Sequence, residues 1–245
     1  MKKIAAIVLA ALLALVCVSC GGQSRVDIKN AQSLADLKGA KIAAQAGTFH
    51  EQALTQIENV QSSTYPDFTD LLTALKSGAI DGYVAEEPTA LSVTKSDSSL
   101  TYIPLKNNDT GFKATAADVG IAIGLKKGSD MTAKINEVLA TITEEQRAQL
   151  MEQIVTLANG GTVDAFALES EAPASTTGTL KVGMECAYEP YNWTELKSGT
   201  LGEVAISSEG KESQFANGYD VQVAQYVANK LGLKLEIYAM EWDSL

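Results

Sequence analysis

Short segments of strand and helix character alternate between residues 31 and 105. Residues 41–44 have the pattern of a buried strand, residues 68–76 that of an amphipathic helix stopped by Gly78, and residues 80–85 that of a second strand. Strands joined through helices by short connections form parallel sheets, because each connection must cross one face of the sheet. The sequence therefore predicts an α/β fold of mainly parallel sheets flanked by helices.

The remainder of the chain continues this alternation. Further strands are predicted at residues 100–105, 119–125, 180–186 and 233–238. Two helices are predicted within residues 129–157, and another over residues 218–231. Residues 166–179 include a stretch rich in Ser, Thr, Ala and Pro, which is typical of a linker.

The N-terminus has the pattern of an export signal. Lys2 and Lys3 precede an apolar run over residues 4–18, which is shorter than the about 20 residues needed to span a bilayer. The run ends at Ser19-Cys20, before Gly and Ser residues, and this resembles a bacterial lipobox, although Cys17 stands where that motif usually has Leu. We expect a signal peptide at 1–19, a lipid on Cys20 and an anchor linker over 20–26; the alternative is ordinary secretion with cleavage nearby.

Composition excludes several classes of function. The 19 Lys and Arg residues against 30 Asp and Glu residues give a net charge of −11, which repels phosphate backbones and excludes nucleic acid as an expected partner. A single histidine excludes multi-histidine metal sites, and no metal or other cofactor is expected. Once Cys17 and Cys20 are set aside, only Cys186 remains, so no intrachain disulfide is expected.

Two blocks of sequence resemble the extracellular solute-binding proteins of amino-acid ABC importers, family 3, which have the two-lobed type II periplasmic-binding fold. Residues 34–48 (LADLKGAKIAAQAGT) and 75–88 (LKSGAIDGYVAEEP) resemble the second lobe of that family. Residues 180–193 (LKVGMECAYEPYNW) and 217–221 (NGYDV) resemble its first strand, aromatic loop and helix start. The resemblance implies two lobes, each with a mainly parallel sheet flanked by helices.

The blocks occur in the opposite order to that of the family. The resemblance implies a complete second lobe at 27–107, the C-terminal part of the first lobe at 108–165, the linker at 166–179, and a truncated N-terminal part of the first lobe at 180–245. A permuted and incomplete first lobe, a junction of tandem copies and a gene-model artefact are the alternatives. The family's arginine-bearing segment has no counterpart, so amino-acid binding is expected to be weak or absent unless a second chain supplies it.

A free amino acid requires an anion site beside a cation site. Gly47, Thr48 and Phe49 precede a helix, whose N–H groups favour a carboxylate; the alternative is a plain capped turn. Glu86 aligns with the family's ammonium-binding acid, with Glu87 as its neighbour if the register is off by one, and the alternative is an acid that stabilises a helix start. Glu185 aligns with an acidic ligand contact of the other lobe.

An aromatic wall is the remaining part of the expected site. Tyr188, Tyr191 and Trp193 cluster around a proline and would stack on the ligand, with core packing as the alternative. The residues expected to play other roles are Gln45 as support for the pocket or the core, Asp220 as a helix cap that fixes the loop, Trp242 in packing, His50 as a solvated first-turn histidine, and Cys186 as a core residue.

The sequence thus predicts the substrate-binding component of an amino-acid ABC importer, which is not an enzyme. It would capture an amino acid between its lobes and deliver it to a permease, while lipid-anchored on the outer face of the cytoplasmic membrane. One alternative is a remnant with a folded second lobe and little ligand binding. Another is a dehydratase-like enzyme on the same fold, which would need a pocket carboxyl with a raised pKa. The residues do not name the amino acid.

Overall fold

The computed structural model describes residues 26–115, 117–211 and 213–245. The expected signal peptide, Cys20 and nearly all of the anchor linker lie outside the described residues, so these expectations stay predictions. Within the described ranges, none of the helices combines the length and the hydropathy that a membrane crossing requires.

A three-stranded parallel sheet occupies the first part of the described chain. Its order is β2-β1-β3, with β1 at Lys41–Gln45, β2 at Gln61–Tyr65 and β3 at Gly82–Tyr83. The connecting helices are α1 at Phe49–Leu54 and α2 at Phe68–Ser77, and α3 follows at Glu87–Ser96. The central strand β1 is buried from its second residue to its last, because it has a neighbour on each side and helices against it.

Capping residues explain where α2 begins and ends. The Asp67 side chain accepts a hydrogen bond from the backbone N–H of Asp70 at 2.8 Å, which satisfies one of the free donors of the first turn. Gly78 ends the helix in the left-handed conformation, at φ 76°. Between these ends, Phe68, Leu71 and Ala74 are buried against the first sheet at helical spacing.

A parallel pair of strands organises the last part of the chain. β4 at Thr179–Met184 pairs with β9 at Lys234–Ala239, and α6 at Tyr219–Lys230 packs against β9. The chain between β4 and β9 forms a separate four-stranded antiparallel sheet of order β5-β6-β8-β7. Its strands are β5 at Ala187–Tyr188, β6 at Asn192–Glu195, β7 at Val204–Ala205 and β8 at Phe215–Asn217.

Two further helices pack against this last part. α4 at Met131–Leu139 and α5 at Glu144–Ala158 both contact α6, and α5 also contacts α3. Leu150 and Ile154 of α5 share an apolar cluster with Tyr191 and Tyr219. The helices after residue 130 therefore support the aromatic segment that follows β4.

The prediction of an α/β fold with parallel sheets and helices is confirmed, and the arrangement is compatible with a periplasmic-binding-like fold. The antiparallel sheet was not predicted, so the last part of the chain is only partly parallel. Strand β2 also escaped prediction because its sequence, QSSTY, is polar and lies half-exposed at a sheet edge. The division into lobes, their permutation and the linker stay predictions.

Two predicted strands are wrong and a third is shorter than predicted. Residues 100–105 and 119–125 have no strand conformation, and the strand predicted at 80–85 is reduced to Gly82–Tyr83. The apolar side chains of 119–125 are exposed, with Ile121 at 62%. An alternating apolar pattern becomes a strand only where a neighbouring strand takes up its backbone hydrogen bonds, and no strand of the described residues pairs with this segment.

Candidate functional site

The candidate site lies where parallel strands end. Gln45 is the last residue of β1, Glu86 follows β3 by three residues, and Glu185 directly follows β4. Ligands of α/β proteins commonly bind beyond the carboxyl ends of such strands. The structure places these side chains in two hydrogen-bonded pairs of distant residues, Gln45 with Glu185 and Glu86 with Tyr188.

The first of these hydrogen bonds joins Gln45 and Glu185. Gln45, which is 2% exposed, donates from Nε2 to Glu185 Oε1 at 2.8 Å and to the carbonyl oxygen of Pro66 at 3.0 Å. Gln45 is therefore part of the site as well as of the core. The other oxygen of Glu185, Oε2, is buried and has no hydrogen-bond partner among the described residues. It is an acceptor that an incoming N–H donor could satisfy.

The electrostatics of Glu185 favour its protonated form. Burial raises the pKa of this carboxyl to about 7, the hydrogen bond from Gln45 opposes the shift, and the nearby carboxylates of Asp67 and Glu241 add to it. A cation brought next to Glu185 would stabilise the ionised form and reverse the shift. The site therefore offers a carboxylate whose charge is costly until a cationic partner arrives.

The second hydrogen bond joins Tyr188 and Glu86. The Tyr188 hydroxyl donates to Glu86 Oε2. Its ring stacks on that of Phe68, with the centroids 4.5 Å apart and the planes at 5°. Glu86 occupies the N-cap position of α3 but makes no side-chain capping hydrogen bond. Glu86 therefore stands at a helix start, as its alternative role requires, because the helix dipole can stabilise a carboxylate there without a capping hydrogen bond, and its side chain is engaged with Tyr188.

Two of the donors at Gly47 and Thr48 are already used within the chain. The backbone N–H of Gly47 donates to Glu51 Oε2 at 2.8 Å, and the Thr48 hydroxyl donates to the carbonyl oxygen of Gln45 at 2.7 Å. Thr48 also caps α1, which starts at Phe49 as predicted. The Glu51 carboxylate thus occupies a donor that the sequence assigned to a ligand carboxylate.

The three predicted aromatic residues fall into different environments. Tyr188 faces Phe68 and Glu86, whereas Tyr191 is 7% exposed, and its ring lies 4.9 Å from that of Tyr188. Burial, followed by the neighbouring Glu86, raises the pKa of Tyr191 far above its usual value. Trp193 lies on β6 and packs on the same apolar cluster as Tyr191. Among the three, only Tyr188 hydrogen-bonds a predicted site carboxylate in the described structure.

Asn192 holds the aromatic segment in place. Its Oδ1 accepts the backbone N–H of Cys186 at 2.7 Å, and its Nδ2 donates to Asp220 Oδ2 at 2.8 Å. Burial raises the pKa of Asp220 to about 6, against the effect of this hydrogen bond. Asp220 fixes the segment from the first turn of α6, while Gly218 takes the N-cap position itself.

Gly218 and Cys186 complete this support. A Cβ at Gly218 would lie 2.3 Å from the carbonyl oxygen of Tyr191, so only glycine permits this approach of the helix to the loop. Cys186 is buried, as predicted, and burial raises the pKa of its thiol to about 11. A thiol in that state is a poor nucleophile.

The prediction of a solvated His50 is wrong. His50 is 3% exposed, because the face of α1 that carries it and Leu54 turns inward. Its ring lies 4.1 Å from that of Phe49 and 6.3 Å from that of Phe68, between ring centroids. The spacing of four residues between His50 and Leu54 was the signal that sequence reasoning overlooked, because it places the two side chains on one helical face.

Two further features are the side chain of Trp242 and a groove beside β3. Trp242 is 38% exposed and lies close to Gly47, where an added Cβ would be 3.4 Å from the indole nitrogen. A groove of about 700 Å³ runs beside β3 and is lined mainly by apolar side chains such as Val26, Ile103 and Phe112. Its lining includes neither Glu86 nor Glu185, but it does include Glu87, the alternative to Glu86, together with Lys29 and Lys106. No group of metal-ligating side chains was found in the parts of the chain that the structure describes.

Comparison with known proteins gives partial similarities, and no family model matches the chain. The chain is 26% identical over 125 residues, half of its length, to the arginine-binding extracellular protein ArtP of Bacillus subtilis. It is 34% identical over 68 residues to the L-cystine-binding protein TcyA of the same organism. It is also 38% identical over 69 residues to a probable amino-acid ABC transporter-binding protein of Haemophilus influenzae.

Each match covers only part of this chain and only part of the relative. The two shorter ones each cover 28% of this chain, and they cover 20% of TcyA and 21% of the Haemophilus protein. The longer one covers 47% of ArtP. The matched parts thus span between a fifth and about half of the relatives' length, and all three relatives carry names of amino-acid-binding proteins.

Proposed function

We propose that this chain is the substrate-binding component of an amino-acid ABC importer, which captures an extracellular amino acid and delivers it to a membrane permease. The observation that carries the proposal is a pair of hydrogen bonds between distant parts of the chain, each made by a carboxylate near a strand end. Glu86, which follows β3, is paired with Tyr188, and Glu185, which follows β4, is paired with Gln45. The names of the partial relatives support the same chemistry.

In this proposal Glu86 receives the ligand's ammonium group. Ammonium–carboxylate hydrogen bonds are short and about twice as strong as neutral ones, so the ligand can displace or share the Tyr188 hydroxyl. Glu185, with its unsatisfied Oε2, receives a second N–H donor of the ligand. Closure of the two lobes would be a hinge motion about residues 107–118.

The ligand carboxylate has to compete with Glu51 for the N–H of Gly47. An arginine would normally supply a stronger partner, but Arg147 donates to the carbonyl oxygen of Leu139 at 2.8 Å, and the resemblance gives Arg25 no part in the site. The loss of a buried charged partner typically costs about 2–5 kcal/mol, or roughly 30-fold to several thousand-fold in affinity. We therefore expect weak binding by the chain alone.

A thermal-shift screen of the unlipidated chain against the twenty amino acids and L-cystine tests the proposal. A ligand at 100 times its dissociation constant should add about 2.7 kcal/mol to the unfolding free energy. Glu86→Gln is the matched control, because it keeps the size of the side chain and removes its charge. A shift in the wild type that E86Q abolishes supports the proposal. A cooperative melt that no amino acid moves contradicts it and favours the remnant.

Export and anchoring are part of the same proposal. A lipidated Cys20 would hold the binding protein at the outer face of the cytoplasmic membrane, close to its permease. Mass spectrometry of the chain expressed in a bacterium should find a diacylglyceryl group on Cys20 that is lost in Cys20→Ser. An unmodified mature N-terminus elsewhere would favour ordinary secretion.

Elimination chemistry is a second candidate because of one observation, the pKa of about 7 at Glu185, which suits a general acid or base. Burial is the largest cause of that pKa, and a binding protein produces it equally well. Turnover of a prephenate-like cyclic acid, lost in Glu185→Gln, would favour the enzyme. No turnover together with amino-acid binding would favour the importer component.

A further inference from the structure

His50 is a buried polar side chain whose hydrogen-bonding capacity is unused. Neither Nδ1 nor Nε2 makes a hydrogen bond with any described residue. Nε2 nevertheless lies 3.3 Å from Glu86 Oε2, so the distance suits a hydrogen bond while the direction of the N–H does not. A rotation that directs the N–H at Oε2 would complete it.

Such a side chain is expensive where it stands. A buried donor or acceptor without a hydrogen bond destabilises the folded state, and an apolar side chain between Phe49 and Phe68 would avoid that cost. The chain carries one histidine, and it is buried against a carboxylate of the candidate site. A role in stability alone does not explain this placement, whereas an interaction with Glu86 does.

Tyr188 and His50 approach the same oxygen of Glu86. The Tyr188 hydroxyl donates to Oε2, and Nε2 of His50, on α1, lies 3.3 Å from the same oxygen. In this arrangement the N–H of His50 is not directed at Oε2. If a ligand displaced the hydroxyl, the carboxylate could turn Oε2 toward the imidazole and leave Oε1 for the ligand's ammonium group.

We propose that His50 is a positioning residue for Glu86, which takes over Oε2 from Tyr188 and holds the carboxylate in place when a ligand is bound. This inference rests on the proposed function, because it assigns Glu86 to the ligand's ammonium group. His50 does not touch the ligand. It acts by fixing one oxygen of Glu86, as the orienting partners of other functional carboxylates and imidazoles do.

Spectroscopy tests the contact without any ligand. Since His50 is the only histidine, a ¹H–¹⁵N spectrum of the imidazole contains one residue's signals. Tyr188→Phe removes the competing hydroxyl and keeps the ring, so the Nε2–H proton should move downfield and exchange more slowly with water. Adding Glu86→Ala to that variant should reverse both changes. An imidazole signal that ignores both substitutions would overturn the proposal.

Binding tests the consequence with matched substitutions. His50→Gln places an amide N–H near the position of Nε2, His50→Asn places one near Nδ1, and His50→Met keeps the length of Gln without a donor. With L-arginine and L-cystine as probes, we expect H50Q to bind within threefold of the wild type, and H50M and H50N to bind at least tenfold more weakly.

The two arms separate the possible failures. A urea titration first establishes that both variants fold as well as the wild type. Equal binding by H50M and H50Q would then overturn the positioning role. If neither probe nor any other amino acid binds to the wild type, the proposed function fails. The spectroscopic arm then still decides whether His50 takes Oε2 when Tyr188 is removed.

Discussion

The two parallel sheets of this chain differ in how their first strands are enclosed. β1 has a hydrogen-bonded neighbour on each side, and four of its five residues are buried. β4 has one neighbour, β9, in the described structure, and its first five residues alternate between exposed and half-buried before Met184 is buried. The two strands, KIAAQ and TLKVGM, both carry apolar residues, yet one occupies a central position in its sheet and the other an edge position.

The difference between β1 and β4 shows that neighbouring strands and helices determine how deeply a strand is buried. Apolar composition alone does not bury β4, because a strand in the middle of a parallel sheet needs a partner along each edge and a helix on each face. The candidate site joins the two sheets, since Gln45 ends β1 and Glu185 follows β4. One side of the site is thus held by a well-enclosed sheet and the other by a sheet with an open edge.

The largest effect should follow from opening the core beneath β1. Leu71→Ala removes a side chain that is 0% exposed, and we expect the free energy of unfolding to fall by about 3–5 kcal/mol. Leu180→Ala on half-buried β4 should cost about 1–2 kcal/mol, since less apolar surface is re-exposed. Urea denaturation measures both.

Leu196→Ala is the control, because Leu196 is 75% exposed and should change stability by less than about 0.5 kcal/mol. Equal losses for L71A and L180A would contradict the comparison, because they would mean that β4 is as enclosed as β1. Separate urea-unfolding transitions for the two sheets would extend the comparison, because they would show that the sheets also differ in stability.

A smaller effect should come from Glu185, through pH. Its pKa rises from 4.5 to about 7 on folding, so between these values the folded chain binds the proton more tightly than the unfolded chain. The unfolding free energy therefore falls as pH rises from about 4.5 to 7. After allowance for solvent screening, the loss is on the order of 1–2 kcal/mol.

Glu185→Gln should flatten this pH dependence, because the amide keeps an acceptor for Gln45 and cannot ionise. Asp220, whose pKa is raised to about 6, contributes in the same direction, so some slope should persist in E185Q and diminish further with Asp220→Asn. Thermal unfolding at pH 4.5, 6 and 8 measures it. A slope that E185Q leaves unchanged would show that Glu185 is not held in its buried position.

Sequence reasoning performed differently on the same two regions. It found β1, α2, β4 and α6, because their apolar periodicity and their terminal glycines are local signals. It missed that Glu51 occupies the N–H of Gly47 and that His50 is buried, since both depend on how α1 packs. It also predicted a strand at 119–125, where the apolar alternation is present but no described strand pairs with it. Features that depend on residues distant in the sequence could not be predicted from the local apolar pattern.

A contact that joins the two regions should have an effect of about 0.5–1.5 kcal/mol. Tyr188→Phe removes the hydrogen bond to Glu86 but keeps the ring stacked on Phe68, so only the hydroxyl's contribution is lost. Tyr188→Ala, which also loses the stacking, should cost more. Urea titrations of both variants measure the difference. Equal losses in Y188F and Y188A would mean that stacking contributes nothing to holding the regions together.

The smallest effect is expected at the exposed segment 119–125. Ile121 is 62% exposed, and Ile121→Thr keeps the β-branched shape while removing apolar surface, so stability should change by less than about 0.5 kcal/mol. The same change at Ile42, which is 3% exposed on β1, should cost several times more, because it buries a hydroxyl without a partner. Urea titrations at two protein concentrations check both. A loss above 1 kcal/mol for I121T at every concentration would show that the segment is covered within the chain. A loss only at high concentration would show that a second copy covers the segment.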